Sequence, residues 1–544
     1  MIIPTYFLSL LAILFNASAI KTRADLLIMN AHIYTLSPNN NVAEAMVVDK
    51  GKVLFIGTSA DAEALYLAEK KISMDGKSIF PGFIDAHCHF YGYGQQLKRA
   101  NLVGTKSWQE VVNKLKEFSG ATNSEWIQGR GWDQNDWAIK EFPTNELLNQ
   151  LYPDQPVFIK RIDGHAAIAN DAAIKLAGFS VSTKITGGEL IIKNGKLTGV
   201  LIDNAMDSLE KIIPSATEKD NIDYLLAAQA KCFSVGLTTV SDAGLDKVVI
   251  DAIDSLQHRK LLKIRVYAML SDNEKNKEYY FKHGPYKTDN LSVRSFKFYV
   301  DGALGSRGAL LKKPYADQPN HIGLLLKPVD YFKRKFAECE ANGFQVCSHC
   351  IGDSANKLIL DLYGKILGGQ NMKRWRIEHA QIVSPEDLFL FHNYNIIPSI
   401  QPCFTTSDMY WAKDRVGDER MKGAYSWKSL LEKAGIVACG SDFPVEDINP
   451  LFGFYAAITR MDQKLFPSGG FMPDQKLSRV EALKGMTAWA AYANFSEEEV
   501  GSLTVGKWAD FVVLNNDIMT VAAEETFKAK VLMTFVNGEM VYPN

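Results

Sequence analysis

Two apolar patterns alternate along the chain. Short runs rich in Val, Ile and Phe, bounded by turn residues, predict buried strands, and stretches with apolar residues three and four apart predict amphipathic helices. Strands are expected at GFIDAHCH (82–89), LTTVSDAG (237–244), IRVYAML (264–270), SFKFYVDG (295–302), FQVCSHC (344–350), RWRIEHA (374–380), IIPSIQP (396–402) and IVACGSDFP (436–444). Helical stretches such as Val329–Ala341 and Asp353–Leu367 separate several of them. Eight strands with helical crossovers imply an α/β fold, a parallel sheet closed into a (β/α)8 barrel. The gap between the first two strands is anomalously long and holds its own strand-like pieces, WIQGRGWD and PVFIKRIDGH. An inserted cap is expected there, overhanging the carboxyl end of the barrel.

Both ends of the chain read differently. DLLIMNAHIYTL, AEAMVVDKGKVLFIGT and KSIFPGFIDAHCHF are short β-type runs, and WADFVVLNND and VLMTFVNGEMVYPN close the chain in the same style. Asp49-Lys50-Gly51-Lys52 and Asn537-Gly538 are hairpin signals. One small β-sandwich built from both termini follows. The expected organisation is a signal peptide (1–19), the first part of the sandwich (20–80), the barrel start (81–99), the cap (100–230), the barrel (231–495) and the second part of the sandwich (496–544).

The leader MIIPTYFLSLLAILFNASA has no charged side chain and ends in Ala17-Ser18-Ala19, a small-x-small cleavage pattern. Its apolar run is too short for a bilayer-spanning helix. An exported chain, periplasmic or secreted, with no stable membrane span after cleavage is the expectation. Over 544 residues, 60 Lys+Arg stand against 62 Asp+Glu, and 47% of residues are hydrophobic. Disorder is excluded by the apolar fraction, and a nucleic-acid footprint by the charge balance. Seven scattered cysteines make no disulfide framework. The CSHC at Cys347–Cys350 reads as buried strand rather than as a redox motif. Exposed apolar surface on the β-domain is expected to favour a homodimer.

Chemistry concentrates at the strand ends. His87 and His89 end the first strand, Lys297 and Asp301 lie on the fourth, His349 ends the fifth, His379 the sixth and Asp442 the eighth. In a barrel these ends share one face. His87 and His89, two apart, lie on one side of their strand with Asp85, whereas Cys88 points away. Any one of these could be a hydrogen-bonded core residue, but four of ten histidines and an aspartate in this order point to metal binding. The elbow GxSxG and the phosphate loop GxxxxGK[ST] are absent, against a serine hydrolase or a P-loop enzyme.

FPGFIDAHCH resembles the first-strand signature of the amidohydrolase superfamily of metal-dependent hydrolases. FKFYVDGALGSRGALL, FQVCSHCIGDSAN, RIEHAQ, GSDFPVEDINPL and GSLTVGKWADFVVLNND resemble its family 3, whose best-known activity is N-substituted formamide deformylase. The resemblance runs from about residue 25 to the end. It implies two divalent ions, zinc, with His87 and His89 on the buried ion and His349 and His379 on the more exposed one. Lys297 would bridge them as a carbamate formed with CO2, and Asp442 would be both ligand and general base. A free ammonium would repel a cation, so Lys297 can join such a site only neutral or carboxylated. The implied reaction is hydrolysis of a C–N amide-type bond in a small molecule, an N-formyl or N-acyl amide, by a metal-activated hydroxide. His165 in DGHAA, Arg307 in GALGSR and Trp132 in GRGWD are candidate substrate contacts. Deaminases of the superfamily tend to carry Glu three residues after the fifth-strand His. Here that position is Gly352, which, with Lys297, counts against deamination. A non-catalytic ligand-binding protein on the same scaffold is the other alternative, though it would not need to keep every ligand.

Overall fold

The computed structural model describes residues 21–39, 42–121 and 125–543. The leader lies outside the described residues, so the export expectation has no structural counterpart here. Among the described residues no helix is long and apolar enough to cross a membrane.

Eight parallel strands follow one another around the barrel: β1 (Phe83–Cys88), β2 (Leu237–Leu245), β3 (Arg265–Ser271), β4 (Leu291–Tyr299), β5 (Gln345–Cys350), β6 (Arg376–His379), β7 (Ile397–Ile400) and β8 (Ala438–Cys439). Its two edges meet just beyond β8. The Asp442 N–H donates to the His87 carbonyl at 2.7 Å and the His89 N–H to the Phe443 carbonyl at 2.8 Å. A Cβ on Gly440 would stand 2.5 Å from the His87 nitrogen, so glycine is what lets this seam close.

Alternation along each strand sorts its side chains. On β5, Cys347 meets Ala243, Tyr267 and Met269 inside the barrel, while Val346 and Cys350 pack outward under the helices. The two cysteines of CSHC thus face opposite ways, and all seven cysteines are free and buried. The helix Asp353–Leu367 lays Ile359, Leu360, Leu362 and Tyr363 into that outer core. Burial of each such aliphatic side chain contributes about 1.5–3 kcal/mol.

The β-domain has two sheets. One, with strand order Lys52–Gly57, Ala45–Asp49, Thr22–Met29, Tyr66–Ser73, is wholly N-terminal. The other interleaves the termini, because Phe511–Leu514 pairs antiparallel with Ser78–Pro81. Leu26, Ile28, Val48, Ile79, Val513 and Phe535 share the core between them. Both expected hairpins form, with positive φ at Lys50, Gly51, Asn537 and Gly538. Arg265 of β3 ties the barrel to this domain through Asp510, at 2.6 Å.

After β1 the chain builds a six-stranded cap sheet from Ala100–Asn101 to Lys196–Asp203, with a hydrophobic cluster on each face. The following helix, Glu218–Ser234, buries Leu225, Ala228, Cys232 and Phe233 in the barrel core. The barrel therefore resumes before residue 231, earlier than the sequence pattern suggested, because this helix's apolar face belongs to the crossover into β2.

Candidate metal centre

The six residues expected at the centre meet at the carboxyl ends of the strands. One nitrogen each of His87 and His89 and one oxygen of Asp442 lie within 4.8 Å of one another. The His89 Nε2 to Asp442 Oδ1 distance is 3.2 Å, and the Lys297 amine stands 3.2 Å from His87 Nε2. The His379 ring centroid is 4.8 Å from that of His87 and 4.6 Å from that of His349.

Strand parity alone would aim Glu378, not its neighbour His379, at the barrel interior. Backbone geometry overrides parity at this point. His379 and Ala380 have φ of +75° and +43°, and Asp442 has +60°. Such left-handed conformations cost a non-glycine residue roughly 1–2 kcal/mol and recur where a side chain must be aimed at a functional site.

Three of the four imidazoles are oriented by a hydrogen-bond partner at Nδ1. His87 Nδ1 is 2.6 Å from Glu378 Oε2, His89 Nδ1 is 3.0 Å from the Ala243 carbonyl, and His379 Nδ1 is 2.8 Å from Gln401 Oε1. Glu378 is in turn gripped by Arg376 at 2.7 Å, both side chains having no solvent exposure. Three buried carboxylates hold the loops carrying these groups. Asp85 accepts from Ser441, Asp242 from the Tyr91 amide, and Asp301 from the amides of Leu310, Ile351 and Gly352.

The electrostatics suit a cation. Burial, with help from neighbouring positive groups, pulls His87 and His349 below the usual histidine range, His89 to about 4 and His379 to about 3. The shift in all four favours the neutral ring, which has a lone pair to offer. Burial lowers Lys297 as well, favouring the neutral amine that carbamate formation needs. Burial alone would raise Asp442, but His89, His87 and His379 together hold it far below the carboxylate range. Among the described residues, His349 Nε2 and Asp442 Oδ1 are buried with no hydrogen-bond partner. Buried polar atoms left unsatisfied in this way cost about 1–3 kcal/mol each unless a ligand satisfies them, and this donor set fits a divalent metal ion.

A cavity of about 480 Å³ lies between the barrel mouth and the cap, with His349, His379 and Asp442 in its wall. His165 reaches it from the cap, its ring 4.8 Å from that of His349 and its Nδ1 2.7 Å from Asp203 Oδ1. Phe404 and Trp411 supply apolar surface. Two expected contacts do not reach the centre. Trp132 is fully buried in the cap core, donating its indole N–H to the Ile159 carbonyl, because its neighbours are the cap's own apolar side chains. Arg307 turns away to pair with Asp317 at 2.8 Å. Sequence reading missed Arg376 and Glu378. Two opposite charges two apart on a strand flanked by apolar elements were the available signal.

Fold and ligand set together define a metal-dependent hydrolase barrel. An amidohydrolase family model matches residues 71–542, and the chain belongs to that family. It is 31% identical to Protein LONG AFTER FAR-RED 3 of Arabidopsis thaliana, over 96% of this chain and 92% of that one. It is 24% identical to N-substituted formamide deformylase of Arthrobacter pascens, over 95% and 98%. The crystal structure of an uncharacterized metal-dependent hydrolase from Pyrococcus horikoshii OT3 aligns with a TM-score of 0.75 at 28% identity, covering 92% of this chain and 99% of that one.

Proposed function

We propose that the chain hydrolyses a C–N amide-type bond of a small N-formyl or N-acyl amide. The observation that carries this reading is the convergence of His87, His89, Lys297, His349, His379 and Asp442 around two unsatisfied buried polar atoms beside a cavity. His87 and His89 would hold one divalent ion and His349 and His379 a second. A carboxylated Lys297 would be shared, and Asp442 would be a ligand as well as the general base. The ions, zinc in this reading, supply a carbonyl polariser and a source of nucleophilic water at neutral pH. Asp442, held ionised, accepts the proton from the attacking water and returns it to the leaving nitrogen. His165, fixed by Asp203, stands on the cap side to meet the substrate carbonyl. The similarity to N-substituted formamide deformylase supports an amide over an ester substrate.

The test is metal analysis of protein prepared with zinc and bicarbonate, joined to a hydrolysis panel of formamides and acyl amides. Two ions per chain and amide cleavage abolished by Asp442→Asn are expected. One ion or fewer would remove the Lys297 bridge, and activity surviving Asp442→Asn would overturn the general-base assignment.

A further inference from the structure

A second cavity, of about 870 Å³, lies on the other side of the centre, between the cap and β1–β4, and shares His89, Lys297 and His165 with it. Arg99 and Arg130 line this space, and among the described residues neither guanidinium makes an ion pair. Arg130 comes from the cap strand Ile127–Trp132, and Arg99 from the segment just after the helix Phe90–Gln96 that follows His89. Both residues are partly buried, and a guanidinium withdrawn even this far from water is ordinarily matched by a carboxylate. Burial draws the pKa of both downward, against the opposing pull of Glu210 on both and of Asp442 and Asp163 on Arg130.

Arg130 is nonetheless held still. Its Nε and Nη2 both donate to the Ile162 carbonyl, at 3.3 and 2.9 Å, and among the described residues no partner engages Nη1. A Cβ on Gly164 would lie 3.1 Å from Nη2, so the absence of a side chain there makes room for the guanidinium plane. Of the neighbouring charges, Lys160 is paired with Glu210 at 2.6 Å, and Asp207 sits beside that pair. Lys211 and Lys327 are at the exposed rim. Asp163, Asp203, Asp242, Asp246 and Asp272 also line the space, and against so many carboxylates a phosphate dianion would meet more repulsion than a carboxylate monoanion.

We propose that Arg99 and Arg130 form a subsite for a carboxylate carried by the substrate, so that the scissile amide is held at the centre by its charged end. This rests on the amide-hydrolase reading and narrows it to amides bearing a carboxylate. A guanidinium fork suits the planar, two-oxygen geometry of that group.

The test compares 4-formamidobutanoate with N-butylformamide, which replaces the carboxylate by a methyl group, in the native chain and in Arg99→Gln and Arg130→Gln. The native chain is expected to prefer the carboxylate substrate by about tenfold or more in kcat/KM, mostly through KM, with the ratio falling toward one in either variant. A ratio between two substrates is independent of how much of a variant folds. Binding of hexanoate and inorganic phosphate, followed by calorimetry on the metal-loaded protein, separates the two ideas. Hexanoate binding lost in both variants, with no amide cleaved, would leave the subsite standing and sink the reaction. Amide cleavage without carboxylate preference, hexanoate binding that survives both substitutions, or tighter binding of phosphate would each overturn the subsite.

Discussion

Glu378→Gln isolates what the charge behind His87 does. The substitution keeps the shape of the side chain and one acceptor oxygen, but removes the anion that Arg376 grips at 2.7 Å and that His87 Nδ1 meets at 2.6 Å. Arg376 also holds the Ala86 carbonyl at 2.6 Å and Ser399 Oγ at 2.9 Å, so it stays in place as a buried cation. Removing one partner of a fully buried pair costs about 3–5 kcal/mol. Loss of the group that orients a metal-binding imidazole weakens metal affinity by about 10–100-fold. Urea unfolding of metal-free protein reads the first quantity, and competition with a chelator of known zinc affinity reads the second. The double variant Arg376→Met/Glu378→Gln should regain part of the stability, since the orphaned cation is gone, yet none of the affinity. Unfolding within about 0.5 kcal/mol of the native chain, together with unchanged zinc affinity, would refute the reasoning.

Further outcomes follow from the same geometry. Asp510→Ala strands Arg265 between the barrel and the β-domain, and a loss of about 3–5 kcal/mol with separated unfolding of the two units is expected by calorimetry. Asp242, which accepts the Tyr91 amide, is pushed up to about 7 by burial from an ordinary value of 3.8. A carboxyl raised in this way stabilises the fold when protonated, and that increment is lost as pH climbs from about 4 through 7. The stability of the native chain relative to Asp242→Asn should accordingly be larger at pH 5 than at pH 8, and a pH-independent difference would count against the assignment. Trp132→Ala should destabilise the cap by about 3–5 kcal/mol, seen as faster proteolysis within 100–203, while metal content stays that of the native chain.

Local pattern made the barrel legible. All eight strands lie where apolar runs and turn residues put them, and the helix Val329–Ala341 has the limits its periodicity suggests. Long-range pairing was less readable. Tyr66–Ser73, YLAEKKIS, is too polar to announce a strand, and forms one because it pairs in parallel with Thr22–Met29. Metal-ligand candidates were visible because His and Asp at strand ends are rare and parity groups them. His379 is the instructive exception, since only its positive φ brings it inward. The Arg376–Glu378 pair, Arg99 and Arg130 were hidden for another reason. A charged residue in a sequence looks solvated until the fold shows what surrounds it.

The seam between β1 and the segment after β8 has a consequence for how the molecule comes apart. His87 and His89 stand on one lip of that seam and Asp442 on the other, some 350 residues away along the chain, with backbone hydrogen bonds bridging the two. An ion held by all three would rivet the last joint of the ring to the first. Opening the barrel at that joint and releasing the ion would then be one event. Metal exchange would proceed at the tempo of the scaffold's own breathing, and a chelator would act as a clock for it.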